Sequence, residues 1–178
     1  MALSILSRPS DLSRKRKSFS IFMLKIYIMQ SLSFSFTHEE IDISYHINKV
    51  NDTSCGGVSM FLGTVRDNFQ GRSVLYLDYT AYEKMARKEV EKIMQEVVVE
   101  WPKVKHVSIE HRLGQVKIGK ASVIIVCSSS DRQSCQQAVS YIIEGLKSRV
   151  TIWKKEFGED WAEWKANLEW NPASFLKN

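Results

Sequence analysis

An apolar stripe in residues 135–150 constrains the fold of this chain more than any other feature of its sequence. Apolar side chains recur at positions i, i+3, i+4, i+7, i+8, i+11 and i+15, the spacing of one buried face of an α-helix. They are Cys135, Ala138, Val139, Ile142, Ile143, Leu146 and Val150. Ser130, with Gln133 three residues later, is predicted to form a capping box, and Asp131 in the first turn suits the helix dipole. The sequence therefore predicts a long helix with one side packed on a core.

Three lysines surround a hydrophobic run directly after this helix, in residues 146–156, LKSRVTIWKKE. Lys147 borders the apolar stripe, and Lys154, Lys155 and Glu156 follow a tryptophan. An amine held beside apolar surface is less hydrated than one in bulk water, which favours proton exchange and contact with an anionic group. The alternative is a lysine stem that lies along the core with its charge in water. The grouping of the lysines favours a functional role for Lys147 and Lys154.

The rest of the chain reads as alternating strands and helices. Period-two patterns predict strands at 57–65, 74–82, 104–113 and 121–128, and helical patterns cover 41–50 and 83–101. β-branched residues after position 150 favour a short extended end. In the second strand Leu75, Leu77, Tyr79 and Ala81 are predicted to point inward. Consecutive strands with short connections pair antiparallel, so the predicted fold class is α+β, with an antiparallel sheet and two long helices.

The net charge of +5 comes from the start of the chain. Residues 1–36 contain six basic residues and one acidic residue, which leaves 19 of each among the other positions. A neutral folded part lacks the basic surface expected of a domain that binds duplex nucleic acid. With 178 residues and 44% apolar content, one domain is the expected organisation.

Residues 1–36 are rich in serine and basic residues, and we expect them to be a leader outside the fold. The segment is either a transit peptide, a disordered extension, or the result of a start codon placed upstream of Met23 or Met29. Its apolar stretch, residues 19–29, is interrupted by Lys25 and is too short to cross a bilayer. The folded domain is therefore predicted to span residues 37–178, with no membrane segment.

The three cysteines indicate neither a disulfide framework nor a zinc site. Their number is odd, and no C-x-x-C pattern is present. Cys127 and Cys135 fall at predicted core positions, and no histidine spacing supports Cys55 as a nucleophile. A reducing compartment, the cytoplasm, is expected. Since the common phosphate-loop, zinc-protease, serine-hydrolase and dinucleotide signatures are also missing, we expect no metal and no cofactor.

Two arginines and one histidine are further candidates for function. Arg132 lies in the first turn of the long helix, where free N–H groups favour an anion, although an ion pair with Asp131 would explain it equally well. Arg66 follows a strand near Gly63, which suits either an anion contact or a salt bridge that stabilises the turn. His111 closes a strand, and we assign it a structural role.

The distance between Arg132 and Lys147 limits what they can do together. Fifteen residues of helix span about 22 Å at 1.5 Å per residue. One small ligand therefore cannot touch both within one chain. Either the two residues serve separate purposes, or a second subunit brings its Arg132 to the Lys147 of this chain.

Five segments, in this order, resemble the family of large, catalytic subunits of molybdopterin synthase: FLGTVRDNFQG, LDYTAYEKMA, HRLG, SDRQ and LKSRVTIWKKE. The resemblance covers about residues 40–166. It implies an α/β-hammerhead-like fold and a sulfurtransferase that converts cyclic pyranopterin monophosphate to molybdopterin. The sulfur would arrive as a thiocarboxylate on the C-terminal glycine of a small ubiquitin-like subunit. A homodimer of large subunits, flanked by small ones, would form a heterotetramer.

The same resemblance implies a set of site residues. Lys147 and Lys154 match the two active-site lysines of the family. The substrate pocket would comprise Arg66, Arg132, Lys147, Lys154, Lys155 and Glu156. Attack by the thiocarboxylate, loss of water and opening of the cyclic phosphate each require proton transfer or charge neutralisation, which lysines and arginines supply.

Two positions depart from the family pattern. Asp131 stands where the family has histidine, and a carboxylate repels a phosphate and cannot replace an imidazole donor. Thr151 stands where the family has proline, so the extended backbone is fixed less firmly. Two alternatives to the enzyme therefore remain: a noncatalytic scaffold of the same fold that binds the pterin or the partner, and a nucleic-acid module that uses the basic leader and the tryptophans.

Overall fold

The structure is a computed structural model that describes residues 30–165. The chain divides into two units, residues 1–31 and 32–178, and nearly all described residues belong to the second. The strands are β1 (Ser31–Thr37), β2 (Gly57–Thr64), β3 (Asn68–Phe69), β4 (Arg72–Ser73), β5 (Tyr76–Ala81), β6 (Val104–Arg112), β7 (Gly114–Lys117), β8 (Ala121–Ser129), β9 (Ile152–Phe157) and β10 (Ala162–Lys165). The helices are α1 (Ile43–Lys49), α2 (Glu83–Glu100) and α3 (Arg132–Arg149). The α+β class is confirmed, while most of the leader, residues 1–29, lies outside the described residues.

Within residues 30–165 the strands form two four-stranded sheets and a two-stranded sheet of β3 and β4, where the sequence analysis predicted an antiparallel sheet. The first sheet has the order β1-β6-β8-β2, and the second has the order β10-β9-β5-β7. Antiparallel pairing joins β2 and β6 to β8, β7 and β9 to β5, and β10 to β9. The expected pairing of consecutive strands holds for β6 with β8 but is wrong for residues 57–65 and 74–82, because β2 pairs with β8 while β5 pairs with β9 and β7. Gly114, with φ 74°, turns the chain after β6 so that β7 pairs with β5 in a separate sheet.

β1 occupies residues that the sequence analysis placed in the leader. Leu32, Phe34 and Phe36 pack against the main core, so their alternation with serine is that of a half-buried strand. The hydroxyl of Ser35 donates a hydrogen bond to Oε1 of Glu110 at 2.9 Å. The serines that made this segment resemble a leader therefore have partners within the fold.

The main core lies between the first sheet and the helices α2 and α3. The predicted stripe of α3 is buried, with Ile143 only partly so, and both Cys127 and Cys135 lie in the core as expected. Gly145 allows α2 and α3 to pack closely, since a Cβ atom there would lie 2.9 Å from Cδ1 of Ile93. α3 is thereby fixed against both the sheet and its neighbouring helix.

The predicted inward face of residues 75–81 is confirmed only for positions that lie within β5. Leu77 is buried, but Leu75 is exposed and Val74 is buried. Both of these residues precede Tyr76, where β5 begins, so the alternation does not extend to them.

Arg149 ties the C-terminal end of α3 to α2. Its Nε donates to Oε1 of Glu89 at 2.8 Å, and its Nη1 donates to Oε2 of Glu96 at 2.6 Å. The bond from Arg149 lowers the pKa of the Glu96 carboxyl. Because Glu89 is only 7% exposed, its charge depends on this partner and on Lys92.

The N-cap of α3 is Asp131, and the predicted capping box of Ser130 and Gln133 is wrong. The Asp131 carboxylate accepts hydrogen bonds from the backbone N–H of Ser134 at 3.0 Å and from its hydroxyl at 2.9 Å. The backbone bond is the main reason that the pKa of Asp131 is lowered. A charged cap that accepts two bonds at the positive end of a helix is stronger than a serine hydroxyl, which explains why the helix starts one residue later.

Replacing the cap should destabilise the fold measurably. Asp131→Ala removes both bonds to Ser134 and should lower the free energy of unfolding, because the first turn of α3 then loses its side-chain cap. Ser130→Ala, the matched control, should change it by only a few tenths of a kcal/mol. Urea unfolding of the two variants measures both values, and equal losses would instead support a cap at Ser130.

Removing Arg149 should lower the free energy of unfolding more than removing the Asp131 cap, because it leaves the buried Glu89 without its arginine. We expect Arg149→Ala to lower the free energy of unfolding by about 2–3 kcal/mol, less than for a fully buried pair because Glu96 is half exposed. Lys120→Ala, which breaks an exposed surface pair with Glu40, is the control and should lower the free energy of unfolding far less.

The stability lost in Arg149→Ala should also depend on pH. A lowered carboxyl pKa contributes stability above the ordinary value of 4.5, and this stability is lost as the pH falls through the folded value. The difference between wild type and Arg149→Ala should therefore shrink below about pH 4.5. A difference that stays constant down to full protonation would contradict the assignment to Glu96.

Candidate active site

A cavity of about 660 Å³ opens where the end of α3 meets the two sheets. α3 contributes Ile143, Leu146 and Lys147, and strands β2, β6 and β8 form a second wall. Strands β5, β9 and β10 of the second sheet and Phe69 of the β3–β4 hairpin complete it. The volume is that of a site for a small organic molecule, and its walls are mainly apolar with a few polar groups.

Lys147 and Lys154 both line this cavity, although they come from different elements. Lys147 is in the last turn of α3, at the edge of the buried stripe, as the sequence predicted. Lys154 lies in the middle of β9, directly opposite Tyr79 of β5. The cavity therefore brings together the two lysines that the sequence analysis singled out.

Glu156 lies beside Lys154 on the same face of β9. Its Oε1 is 3.9 Å from Nζ of Lys154, and the side chain is only 3% exposed. Its Oε2 is buried and has no hydrogen-bond partner among the residues that the structure describes. Burying a carboxylate costs free energy unless a positive charge compensates it, and Lys154 is placed to provide that charge.

Lys155 points to the opposite face of β9, because side chains alternate along a strand. Its Nζ lies 5.1 Å from the ring centre of Phe157 and 5.7 Å from that of Trp164. The cation therefore rests on aromatic faces. In the described structure Lys155 does not line the cavity, so its role in substrate binding stays a prediction.

Arg66 and Arg132 also lie outside the cavity of this chain. Arg66 is exposed in the connection after β2, and Arg132 is exposed at the first residue of α3, the opposite end from Lys147. One chain therefore does not gather all six predicted residues. For Arg132 this separation agrees with the distance expected from the sequence.

The two departures from the family pattern have local structural consequences. The Asp131 carboxylate is turned to its own helix and lies 3.6 Å from Nζ of Lys103, so its charge is largely compensated. The carbonyl of Thr151 accepts a hydrogen bond from the backbone N–H of Tyr82 at 3.2 Å, which fixes the turn between α3 and β9. Neither residue distorts the elements that carry the lysines.

Sequence reasoning did not assign six polar residues of the cavity wall to the site: Thr64, Gln70, Tyr79, His111, Ser122 and Glu163. Burial raises the pKa of Tyr79, partly offset by a hydrogen bond with Ser122, and burial lowers the pKa of His111 to about 4. For Tyr79 the predicted inward face of β5 was a usable signal. For His111 no local signal existed, because its exposure to a cavity depends on the second sheet.

The buried thiols are poor nucleophiles. Burial raises the pKa of both Cys127 and Cys135, so each remains a protonated thiol near neutral pH. Cys135 donates to the carbonyl of Arg132 at 3.1 Å. Neither thiol lines the cavity.

In the part of the chain that the structure describes, no group of three or more histidine, cysteine or acidic side chains is arranged to hold a metal ion. Within residues 30–165, none of the helices has the length and apolar character needed to span a bilayer.

Comparison with known proteins identifies relatives over most of the chain. A molybdopterin synthase catalytic subunit from Drosophila persimilis is 50% identical over 131 residues, which are 72% of this chain and 36% of that protein. Another, from Taeniopygia guttata, is 51% identical over 115 residues, 65% of this chain and 74% of that protein. The chain thus spans little more than a third of the length of the fly protein.

The fold and the sequence agree with one protein family. A solved structure of molybdopterin synthase from Staphylococcus aureus superposes with a TM-score of 0.71 at 35% identity, covering 74% of this chain and 95% of that one. The sequence model described as MoaE protein matches residues 36–149, which include Arg66, Arg132 and Lys147, and ends just before Lys154. With this match and relatives at about half identity, the chain belongs to the MoaE protein family.

Proposed function

We propose that this chain is the catalytic subunit of molybdopterin synthase, a sulfurtransferase that converts cyclic pyranopterin monophosphate to molybdopterin. The observation that carries the proposal is the convergence of Lys147 and Lys154 in one cavity. Relatives at about 50% identity carry the name of that subunit. The cavity, the two lysines and the family membership support the same activity.

The cavity has the chemistry that the reaction needs. Two ammonium groups beside apolar walls can neutralise the charge of a phosphate and exchange protons with the reacting atoms. Phe61 and Trp153 give it aromatic walls that suit a planar heterocycle. Arg66, Arg132, Lys155 and Glu156 remain proposed members of the substrate pocket. Glu156 would act by holding the amine of Lys154 in position through their ion pair.

The sulfur is proposed to come from a partner. The two buried thiols are protonated and lie away from the cavity, which fits a subunit that receives sulfur and does not supply it. Trp153 and Trp164 line the cavity and are 45% and 57% exposed. We propose that the C-terminal tail of a thiocarboxylated, ubiquitin-like small subunit enters along these two side chains.

Arg132 is proposed to act on the site of a second copy. A homodimer of large subunits would place Arg132 of one chain near Lys147 of the other, and two small subunits would complete a heterotetramer. The opposite positions of these residues on α3 support this arrangement. No cofactor, nucleic acid or membrane is part of the proposal.

We further propose that the protein acts in the cytoplasm and that residues 37–178, together with β1, form its single domain. All three cysteines are free, as in proteins of a reducing compartment. The scaffold alternative gains no support from Asp131, because that carboxylate is occupied by Ser134 and Lys103.

Lys147→Ala should abolish product formation. The chain would be assayed with thiocarboxylated small subunit and cyclic pyranopterin monophosphate, and the loss should exceed about 100-fold because a proton donor and a phosphate contact disappear together. Urea unfolding and association with the small subunit should stay unchanged. Lys88→Ala, an exposed lysine on α2, is the matched control and should keep full activity. Product formation by Lys147→Ala would refute the role of Lys147.

Mixing two inactive variants tests the shared site. If Arg132 serves the partner chain, then a mixed dimer of Arg132→Ala and Lys147→Ala contains one intact site and one site that lacks both residues. An equimolar mixture that exchanges subunits should regain about a quarter of wild-type activity. Half of the dimers are then mixed, and each mixed dimer has one intact site out of two. No recovery after verified subunit exchange would show that Arg132 acts within its own chain or not at all.

A further inference from the structure

His111 is a buried histidine on the cavity wall that the proposed reaction does not yet use. It lies at the end of β6, opposite Val123 of β8, and is 7% exposed. Its ring is held by edge contacts with Tyr79, 5.1 Å between ring centres, and with Phe36, 6.5 Å. The ring therefore has a fixed orientation in the wall.

The hydrogen bond of His111 determines which nitrogen carries the proton. Nδ1 lies 2.8 Å from the carbonyl oxygen of Arg112, and a carbonyl can only accept, so Nδ1 bears the hydrogen. Burial keeps the ring neutral by lowering its pKa to about 4. Nε2 then carries a lone pair, and within residues 30–165 the bond to Arg112 is the only hydrogen bond of this ring.

The hydroxyl of Ser122 on the same wall already has an acceptor. It donates its one hydrogen to the carbonyl of Gly63 at 3.2 Å. This wall therefore offers the unprotonated nitrogen of His111 as an acceptor, while Lys147 and Lys154 line the cavity with amine donors. A ligand with an anionic group at one end and N–H donors at the other fits this cavity in one orientation.

We propose that His111 determines specificity for the heterocycle, because its Nε2 accepts a hydrogen bond from a ring or amino N–H of the substrate while the two lysines bind the phosphate. This inference rests on the proposed function. The aminopyrimidinone edge of a pterin carries such N–H groups. The cyclic phosphodiester of the substrate carries no hydrogen at neutral pH, so it has only acceptor oxygens and gains nothing from His111.

Two variants separate recognition from a structural role. His111→Asn keeps an N–H that can reach the Arg112 carbonyl but has no acceptor at the position of Nε2. His111→Gln is longer and can place its carboxamide oxygen near that position. A purely structural histidine would be replaced better by asparagine, whereas a histidine that recognises substrate would be replaced better by glutamine.

Calorimetry on the reconstituted complex would measure binding of neopterin, a pterin without phosphate, and of inorganic phosphate. His111→Asn should weaken neopterin binding about tenfold, the value of one hydrogen bond, and leave phosphate binding unchanged. His111→Gln should recover most of the neopterin affinity. Lys147→Ala should have the opposite effect and weaken the binding of phosphate more than the binding of neopterin. His106→Asn, on the same strand but hydrogen-bonded to Asp52, is the control and should bind both probes normally.

The outcomes are decisive for His111. The inference is overturned if His111→Asn binds neopterin as tightly as wild type. It is also overturned if His111→Asn weakens neopterin and phosphate binding equally, or if His111→Gln does not restore the neopterin affinity that His111→Asn loses. Thermal unfolding of each variant shows whether a loss of affinity is due to misfolding. If His111→Asn is misfolded, the neopterin affinity of His111→Gln relative to wild type decides whether the inference holds. The product assay on wild type keeps the two proposals apart, since failure to form product rejects the function itself.

Discussion

The pairing of β9 with β5 is the constraint on which the candidate site depends. Tyr79 lies opposite Lys154, and Leu77 lies opposite Glu156, so the lysine and the carboxylate share the face that is turned to the cavity. A slip of one residue would turn both side chains to the opposite face of the second sheet, away from Tyr79 and Leu77. Leu77 is buried in a small core of the second sheet, which makes that slip costly.

The position of Lys147 depends on a different set of interactions. The stripe of α3 packs on the first sheet, and Arg149 joins the end of the helix to α2 through two carboxylates. Only Val150 and Thr151 separate this end from β9, so the two lysines are carried by elements that are fixed independently and meet at a short turn. Such a site is preorganised, which is the condition for charge stabilisation in a catalytic cavity.

Local sequence patterns predicted the helix and the strand that carry the lysines. They did not predict how distant strands pair into two sheets. The stripe of α3 and the extended run after it follow from residue periodicity, which is a property of neighbouring positions. The split into two sheets depends on the pairing of β5 with β9 and β7, which lie far from it in the sequence, and the four residues of β7, one of them Gly114, carry no signal for a partner. His111 was assigned a structural role for the same reason, since its strand alone does not reveal the cavity. The capping error arose because two adjacent residues, Ser130 and Asp131, both suit an N-cap, and the charge of aspartate decided the outcome.

The central claim is that Lys147 and Lys154 hold one ligand in one cavity, and amine labelling with mass spectrometry tests it most directly. The rate of acylation of each lysine would be measured in the wild-type complex as cyclic pyranopterin monophosphate is titrated in. The account predicts that Lys147 and Lys154 are protected together, with the same midpoint, while Lys88 reacts at a constant rate. Protection of only one of the two, or of neither at saturating substrate, would contradict it.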